Sequence, residues 1–273
     1  HPKVGLDFGV LAGLYREQAH YTEAERLHQR ALAILEAKLG PEHPSVANSL
    51  NNIALLRRDL GQYGNVESLY RRALQIYERK LGNDHPTVAN TLSNLAGYYQ
   101  DRGKVADAEK LQQRAIAIVE KKLGPRHPAL VGSLIRLSEI QRNRDNLPRA
   151  ETLAKSAVDI SRANNRSNAA AINNLAAIYA AQSRFAEAET LYTQALSLRE
   201  SVLGADHPHV ATTLNNLAVL YDSQGRQIEA EKLYRRALTI DERALGTEHP
   251  NVAMDLHNLA LLLETQQKYN EAE

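Results

Sequence analysis

The sequence predicts an all-α protein made of repeated helix pairs, and three observations support this prediction. One phrase recurs along the chain, apolar residues inside each copy fall at helical spacing twice, and glycine and proline mark the predicted helix ends. The phrase reads LGPEHPSVANSLNNIALL from Leu39, LGNDHPTVANTLSNLAGYY from Leu81 and LGADHPHVATTLNNLAVLY from Leu203.

The period of the repeat follows from the His-Pro dipeptide. Its separations are 42, 42, 42, 80 and 42 residues, and 80 is two periods less four, so one copy lacks the dipeptide and four residues. The dipeptide begins at His1, His43, His85, His127, His207 and His249. We therefore predict a single domain, 1–273, with repeats at 1–42, 43–84, 85–126, 127–166, 167–206, 207–248 and a partial seventh at 249–273.

Each repeat is predicted to hold two amphipathic helices. After His207, apolar residues stand at i, i+3, i+4 and i+7, the polar turn DSQGRQ interrupts them, and the helical spacing then resumes. The residues are Leu214, Leu217, Ala218 and Tyr221 in the first helix, and Ala230, Leu233, Tyr234, Ala237 and Leu238 in the second.

Glycine and proline define the helix boundaries. A glycine lies at each predicted helix end, where a residue that tolerates positive φ is favoured, and the Pro of His-Pro suits the first turn of the next helix. The glycines are Gly40, Gly82, Gly124, Gly204 and Gly246.

Small residues recur where the two helices of a pair should cross. They are Ala12, Ala54, Ala96, Ser138, Ala176, Ala218 and Ala260 in first helices, and Ala31, Ala73, Ala115, Ala157, Ala195 and Ala237 in second helices. Small side chains let helix axes approach to the short end of the ~8–10 Å range. One pair cannot bury its own apolar stripe, so we predict a right-handed superhelical α-solenoid of antiparallel pairs with a concave inner face.

These residues resemble the tetratricopeptide repeat. The resemblance rests on Leu214, Leu217-Ala218, Tyr221, Gly225, Ala230, Tyr234 and Ala237. The 42-residue period and the LGxxHPxVA loop resemble the longer variety found in kinesin light chains and their bacterial relatives. The similarity covers essentially the whole chain and implies that first helices line the concave face, although proteins that share this scaffold bind different ligands.

Asparagine recurs at one place in five first helices, directly before the Leu or Ile of a Leu/Ile-Ala pair. We name Asn52, Asn94, Asn174, Asn216 and Asn258 the asparagine ladder. A carboxamide donates and accepts, so it can pair with any peptide backbone, and neighbouring helices ~10 Å apart match about three residues of an extended peptide. The resemblance implies this ligand-binding role for the same five residues. The alternative is that each amide satisfies a neighbouring repeat or water.

Other polar residues extend this candidate site. Asn48 and Asn90 stand four residues before Asn52 and Asn94, on the same helix face. Arg136 replaces the ladder asparagine in the fourth repeat. Arg16 and Arg58 could form a cationic patch for an acidic peptide, a ligand that the resemblance to kinesin light chains also implies, although acidic residues oppose them. The acidic residues opposing the arginines of this face are Glu17, Asp59, Asp101 and Glu139.

Composition and spacing argue against other kinds of site. The chain has no cysteine, and 33 basic against 32 acidic residues give no field for nucleic acid. No apolar run is long enough for a membrane span, and we expect a cytoplasmic protein. The loop histidines occur once per repeat, which suits helix capping better than a metal site, and no phosphate loop or nucleophile elbow is present. We expect no cofactor, no metal and no enzymatic activity.

The sequence therefore predicts a non-enzymatic adaptor that holds an extended segment of a protein partner in its concave groove. Two alternatives remain open at this stage. Exposed apolar ends could make the chain a structural module that stacks end to end, and the array could be the sensor arm of a larger signalling protein.

Overall fold

The computed structural model describes residues 1–164 and 168–266, and every regular element in those ranges is an α-helix. Thirteen helices follow in chain order over the described residues. They are α1 (Pro2–Glu17), α2 (Tyr21–Leu39), α3 (Pro44–Asp59), α4 (Val66–Leu81), α5 (Pro86–Asp101), α6 (Val105–Leu123), α7 (Leu130–Asn143), α8 (Leu147–Ala163), α9 (Ala169–Ala181), α10 (Phe185–Leu203), α11 (Pro208–Ser223), α12 (Gln227–Leu245) and α13 (Pro250–Thr265).

The chain forms two compact units, His1–Ile140 and Gln141–Glu273. In unit 1, from α1 to α6, the odd-numbered first helix of a repeat packs on its even-numbered second helix, and that second helix packs on the first helix of the next repeat. Unit 2 follows the same rule from α8 to α13. The predicted all-α solenoid of stacked helix pairs is confirmed, because helices that follow one another in the chain pack against each other.

The loop phrase caps helices as the sequence predicts. The Nδ1 atom of His43 accepts a hydrogen bond from Ser45 N at 3.1 Å, and His207 makes the equivalent bond at 3.1 Å. Gly82 ends α4 with φ of 89°, a conformation in which an L side chain is strained. The histidines are therefore helix caps, and the glycine lets the chain leave the second helix.

The fourth repeat departs from this pattern at its loop. Pro128 was expected in the first turn of a helix, but α7 begins two residues later, at Leu130. The tight i→i+3 bond from Val131 N to Pro128 O at 3.1 Å precedes the regular helix there. His127 still accepts a hydrogen bond from Ala129 N at 3.2 Å.

The missing four residues shorten the next first helix. Helix α9 has 13 residues, whereas α3, α5 and α11 have 16 each. Asn168 takes over the capping role, because its Oδ1 accepts from Ala171 N at 3.0 Å. Residues 165–167 of this connection lie outside the described ranges.

The small residues and the tyrosines form the core. The predicted crossing residues in both helices are fully buried in all repeats except the last, where Ala260 is partly exposed. Tyr70, Tyr192 and Tyr234 are 0–3% exposed, so they are packing residues. Close helix crossing thus depends on alanine, and the larger apolar volume comes from the tyrosines between the helices.

Candidate functional site

The first helices of unit 1 lie side by side, since α1 contacts α3 and α3 contacts α5. We name the surface they share with the start of α7 the first-helix face of unit 1. Arg16, Asn52, Asn94 and Arg136 lie there, each partly exposed to solvent. Polar side chains from consecutive repeats are therefore close enough to interact directly.

The ladder amides of unit 1 are joined to one another. Asn94 Nδ2 donates to Asn90 Oδ1 and to Asn51 Oδ1, both at 3.2 Å. Asn51 Nδ2 lies 3.4 Å from Asn52 Oδ1. A connected row of four carboxamides thus runs from α5 to α3.

This row divides the polar atoms of Asn94 into two groups. Both hydrogens of its Nδ2 are used within the protein, whereas its Oδ1 has no hydrogen-bond donor among the residues described. The side chain of Asn48 is exposed and makes no hydrogen bond within the same ranges. Hydrogen bonds within the protein therefore occupy only part of the bonding capacity of these amides. The Oδ1 of Asn94 and the side chain of Asn48 remain available to a ligand.

Unit 2 repeats the arrangement once. Asn216 Nδ2 donates to Asn173 Oδ1 at 3.3 Å, where α11 contacts α9. Asn174 is buried, with 4% exposed, and is therefore the ladder residue with least access to solvent. Asn258 on α13 is partly exposed.

Asn51 and Asn173 are functional candidates that the sequence analysis missed. Each accepts the hydrogen bond of a ladder amide from the following repeat. The signal was present in the sequence, because both belong to Asn-Asn doublets at positions 51–52 and 173–174. Recognising it required knowledge of which residues face each other across two helices.

The two arginines predicted to bind an acidic peptide are paired within unit 1. Arg16 Nε donates to Asp59 at 2.6 Å, and Arg58 donates to both carboxylate oxygens of Asp101. Each bond joins one repeat to the next. The positive charge of both arginines is therefore largely compensated, and their predicted role in ligand binding needs a further cation.

Arg136 supplies that cation. A Cβ atom on Gly97 would lie 2.5 Å from Arg136 Nη1 and 2.6 Å from Arg58 Nη1, so both guanidinium groups rest against this glycine. Arg136 has no hydrogen-bonding partner in the part of the chain that the structure describes. Burial and the neighbouring charge of Arg58 lower the pKa of Arg136.

Beneath these arginines lies a buried hydroxyl. Tyr70 is fully buried, and its Oη accepts and donates no hydrogen bond within the described ranges. Burial is the main cause of its raised pKa, and Arg58 and Arg136 act on it in the opposite direction. The site at Gly97 thus brings the guanidinium groups of Arg58 and Arg136 together, with the charges of Asp101 and Glu139 acting on Arg136.

Acid–base pairs on the second helices have structural roles. Arg71 Nε donates to Glu67 at 2.9 Å and Arg235 Nε donates to Glu231 at 3.0 Å, as expected for exposed i,i+4 pairs. Over the described ranges no group of three or more His, Cys, Asp or Glu side chains could hold a metal ion. In the same ranges no helix combines the length and apolar character of a membrane span.

Helix pairs that recur along the chain and pack on their sequence neighbours define an α-helical repeat protein. The family model of the tetratricopeptide repeat matches residues 8–79, 51–119, 87–163, 167–243 and 224–273. The chain therefore belongs to the tetratricopeptide repeat family, as its resemblance implied. No curated protein matches it in sequence.

Solved structures show the same fold. BtubC (BKLC) from P. vanneervenii is 24% identical with a TM-score of 0.57, over 79% of this chain and 86% of that chain. The apo form of RapI is 16% identical with a TM-score of 0.67, over 90% of this chain and 85% of that chain. At these identities the similarity establishes the helical repeat architecture.

Proposed function

We propose that this protein is a non-enzymatic scaffold that holds an extended segment of a protein partner along its first helices. The observation that supports this most strongly is the connected row Asn90, Asn94, Asn51 and Asn52, which crosses from one repeat to the next. A row of amides with fixed orientation can bind a peptide backbone independently of its sequence.

The unused atoms of this row, together with the side chain of Asn48, define the proposed contacts with the peptide backbone. Asn94 Oδ1 accepts from a peptide N–H, and Asn48 and Asn52 offer Nδ2 hydrogens to a peptide C=O. The internal hydrogen bonds hold the amides in position before the ligand arrives, which reduces the entropy lost on binding.

Side-chain preference comes from the arginines at Gly97. A carboxylate of the partner placed between Arg58 and Arg136 would accept two charge-assisted hydrogen bonds, one from each guanidinium group. We therefore expect the bound segment to carry Asp or Glu near this point.

The test compares a ladder variant with a matched scaffold variant. A ligand is first selected from a random peptide display on the purified protein, and its affinity is measured by calorimetry. Asn94→Ala together with Asn52→Ala should weaken binding about 30-fold, because each loses a hydrogen bond to the ligand worth ~1 kcal/mol. Asn51→Ala removes the internal partner of both Asn94 and Asn52 but none of the atoms proposed to contact the ligand, and it should weaken binding less.

Two results would contradict the proposed role of the ladder. One is an unchanged affinity in the double variant with an unchanged melting temperature. The other is an equal loss in Asn51→Ala, which would mean that the amides serve the scaffold alone.

The exposed apolar face of helix α1 supports a second proposed function, which is self-association. Val4, Leu11 and Leu14 are 40–51% exposed. Their equivalents in α3 are Val46, Ile53 and Leu56, which are 0–3% exposed. Since α2 covers the equivalent surface of α3, we propose that a second copy of this chain covers α1 through the same kind of packing.

Sedimentation equilibrium tests this second function. The mass should rise toward that of a dimer with increasing protein concentration, and Leu11→Glu with Leu14→Glu should return it to that of a monomer. The exposed pair Leu81→Glu and Leu123→Glu is the matched control. A monomer at every concentration would exclude self-association.

A further inference from the structure

Several consecutive second helices are joined by an ion pair at one fixed place in the repeat. In each case an arginine Nη2 donates to the Oε1 of a glutamate 36 residues earlier in the chain, at 2.7–2.8 Å. We name this ion pair the second-helix clasp. The clasps are Arg72–Glu36, Arg114–Glu78 and Arg236–Glu200.

The clasp is missing between α8 and α10 of unit 2. Arg162 stands 38 residues before Glu200, which is one period less the four missing residues, and Gln194 stands 42 residues before Arg236. Arginine therefore replaces the clasp glutamate, and glutamine replaces the clasp arginine. Both side chains are exposed, and neither forms a hydrogen bond or ion pair with a residue in the described ranges.

A cavity of about 400 Å³ lies at this unclasped contact. Apolar side chains from α8, α9 and α10 form much of its wall, and Arg162 lies at the same cavity. The volume falls within the range of ~300–1,000 Å³ that is typical of small-molecule sites. The apolar residues of the wall are Val158, Leu175, Tyr179 and Leu191.

Four charged side chains also line this cavity, and two of them are compensated within unit 2. Lys155 forms an ion pair with Glu151 at 2.6 Å, and Glu187 forms one with an arginine at 2.5 Å. Asp159 and Arg162 form no hydrogen bond or ion pair over the part of the chain that the structure describes. One negative and one positive group are therefore available to a ligand.

Asp159 and Arg162 depart from the pattern of every other second helix. The places of these two residues hold an uncharged residue and a glutamate in all five other second helices. The five pairs are Ala33 and Glu36, Gln75 and Glu78, Ala117 and Glu120, Ser197 and Glu200, and Thr239 and Glu242. Because residues at i and i+3 lie on one helix face with Cβ atoms ~5–6 Å apart, α8 alone presents opposite charges side by side next to an apolar wall.

We propose that this cavity binds a small zwitterion with an apolar side chain, the chemical class of the apolar α-amino acids. The guanidinium of Arg162 donates to the carboxylate of the ligand, and the carboxylate of Asp159 accepts from its ammonium group. The apolar side chain of the ligand packs on Leu175 and Leu191. A ligand that lacks either charge leaves one of these two groups unpaired or opposed, so the pair selects against simple anions and cations.

The inference is independent of the proposed peptide binding, because the cavity opens between two second helices. Binding of leucine and phenylalanine to the full chain is measured by saturation-transfer NMR, and we expect dissociation constants of about 10 μM to 1 mM. Phenylalaninamide lacks the carboxylate and N-acetylphenylalanine lacks the ammonium, so each should bind at least about tenfold more weakly. Serine lacks the apolar side chain and should be weaker by a similar factor.

Variants then locate the site. Arg162→Glu together with Gln194→Arg introduces the clasp residues of the other repeats and should abolish binding of phenylalanine. Asp159→Ser introduces the residue of the next second helix and should weaken binding at least about fivefold. Arg243→Glu changes the same charge on an exposed face of α12 and should keep the affinity within about twofold.

The proposal fails if neither leucine nor phenylalanine binds at about 10 mM, since water alone would then balance the two charges. It also fails if N-acetylphenylalanine binds as tightly as phenylalanine, or if binding survives in the variant with the introduced clasp. If circular dichroism shows that this variant does not fold, an unchanged affinity in Asp159→Ser overturns the proposal equally.

Discussion

Replacing Tyr70 with alanine is expected to lower the free energy of unfolding by about 3–5 kcal/mol, the range for deleting a large buried side chain. Tyr70 is fully buried and packs with Ala54, Leu95, Ala96 and Ile140 in unit 1. The alanine variant would leave a cavity between three repeats. The unfolding transition can be followed in urea by circular dichroism.

Tyr70→Phe is the matched control for this prediction. The hydroxyl of Tyr70 has no hydrogen-bonding partner within the described ranges, so its removal should leave the stability equal or higher. A loss of more than about 1 kcal/mol in Tyr70→Phe would show that the hydroxyl is bonded in solution. A small loss in Tyr70→Ala would contradict the packing described here.

The second large effect is expected on ligand capture. Arg136→Glu should weaken binding of an acidic peptide by about 100-fold, because it removes a charge-assisted hydrogen bond worth ~1.5–3 kcal/mol and adds repulsion. The peptide is one selected by display that contains Asp or Glu, and its affinity is measured by calorimetry. The loss should shrink as salt is raised, since salt screens exposed charges.

Two variants show whether the effect belongs to this site. Arg126→Glu changes the net charge equally at an exposed loop and should leave the affinity within twofold. Arg136→Asn introduces the residue found at this place in five other repeats and should keep binding of peptides that lack acidic residues. An equal loss in Arg126→Glu would mean that the general charge of the protein, and not the site at Gly97, attracts the peptide.

Much of the local structure could be predicted because it recurs. The histidine caps, the glycines with positive φ and the buried alanines each follow from a residue type at a fixed place in a 42-residue period. The departures were harder to predict. The sequence indicated that four residues were missing after the fourth repeat, but only the structure assigned part of that loss to the short helix α9 and its cap to Asn168.

The candidate site was predicted in part. The ladder residues were located from their recurrence, but their internal partners Asn51 and Asn173 were not. Arg58 was predicted to belong to a cationic patch opposed by acidic residues; it is paired with one of them, Asp101, and the guanidinium of Arg136 lies beside it at Gly97. The positions of these residues in the sequence did not indicate that their side chains meet, because they lie on three different helices.

The sequence by itself determined the helix pairs, their ends and the residues between them, because helical periodicity and capping act over a few residues. The tertiary structure decided which side chains meet across repeats. Asn94 bonds to Asn51, Asn216 to Asn173 and Arg58 to Asp101, each 43 residues apart, one more than the period. That offset is set by how side chains on one first helix fit between those of the next, and a repeat length alone does not contain it.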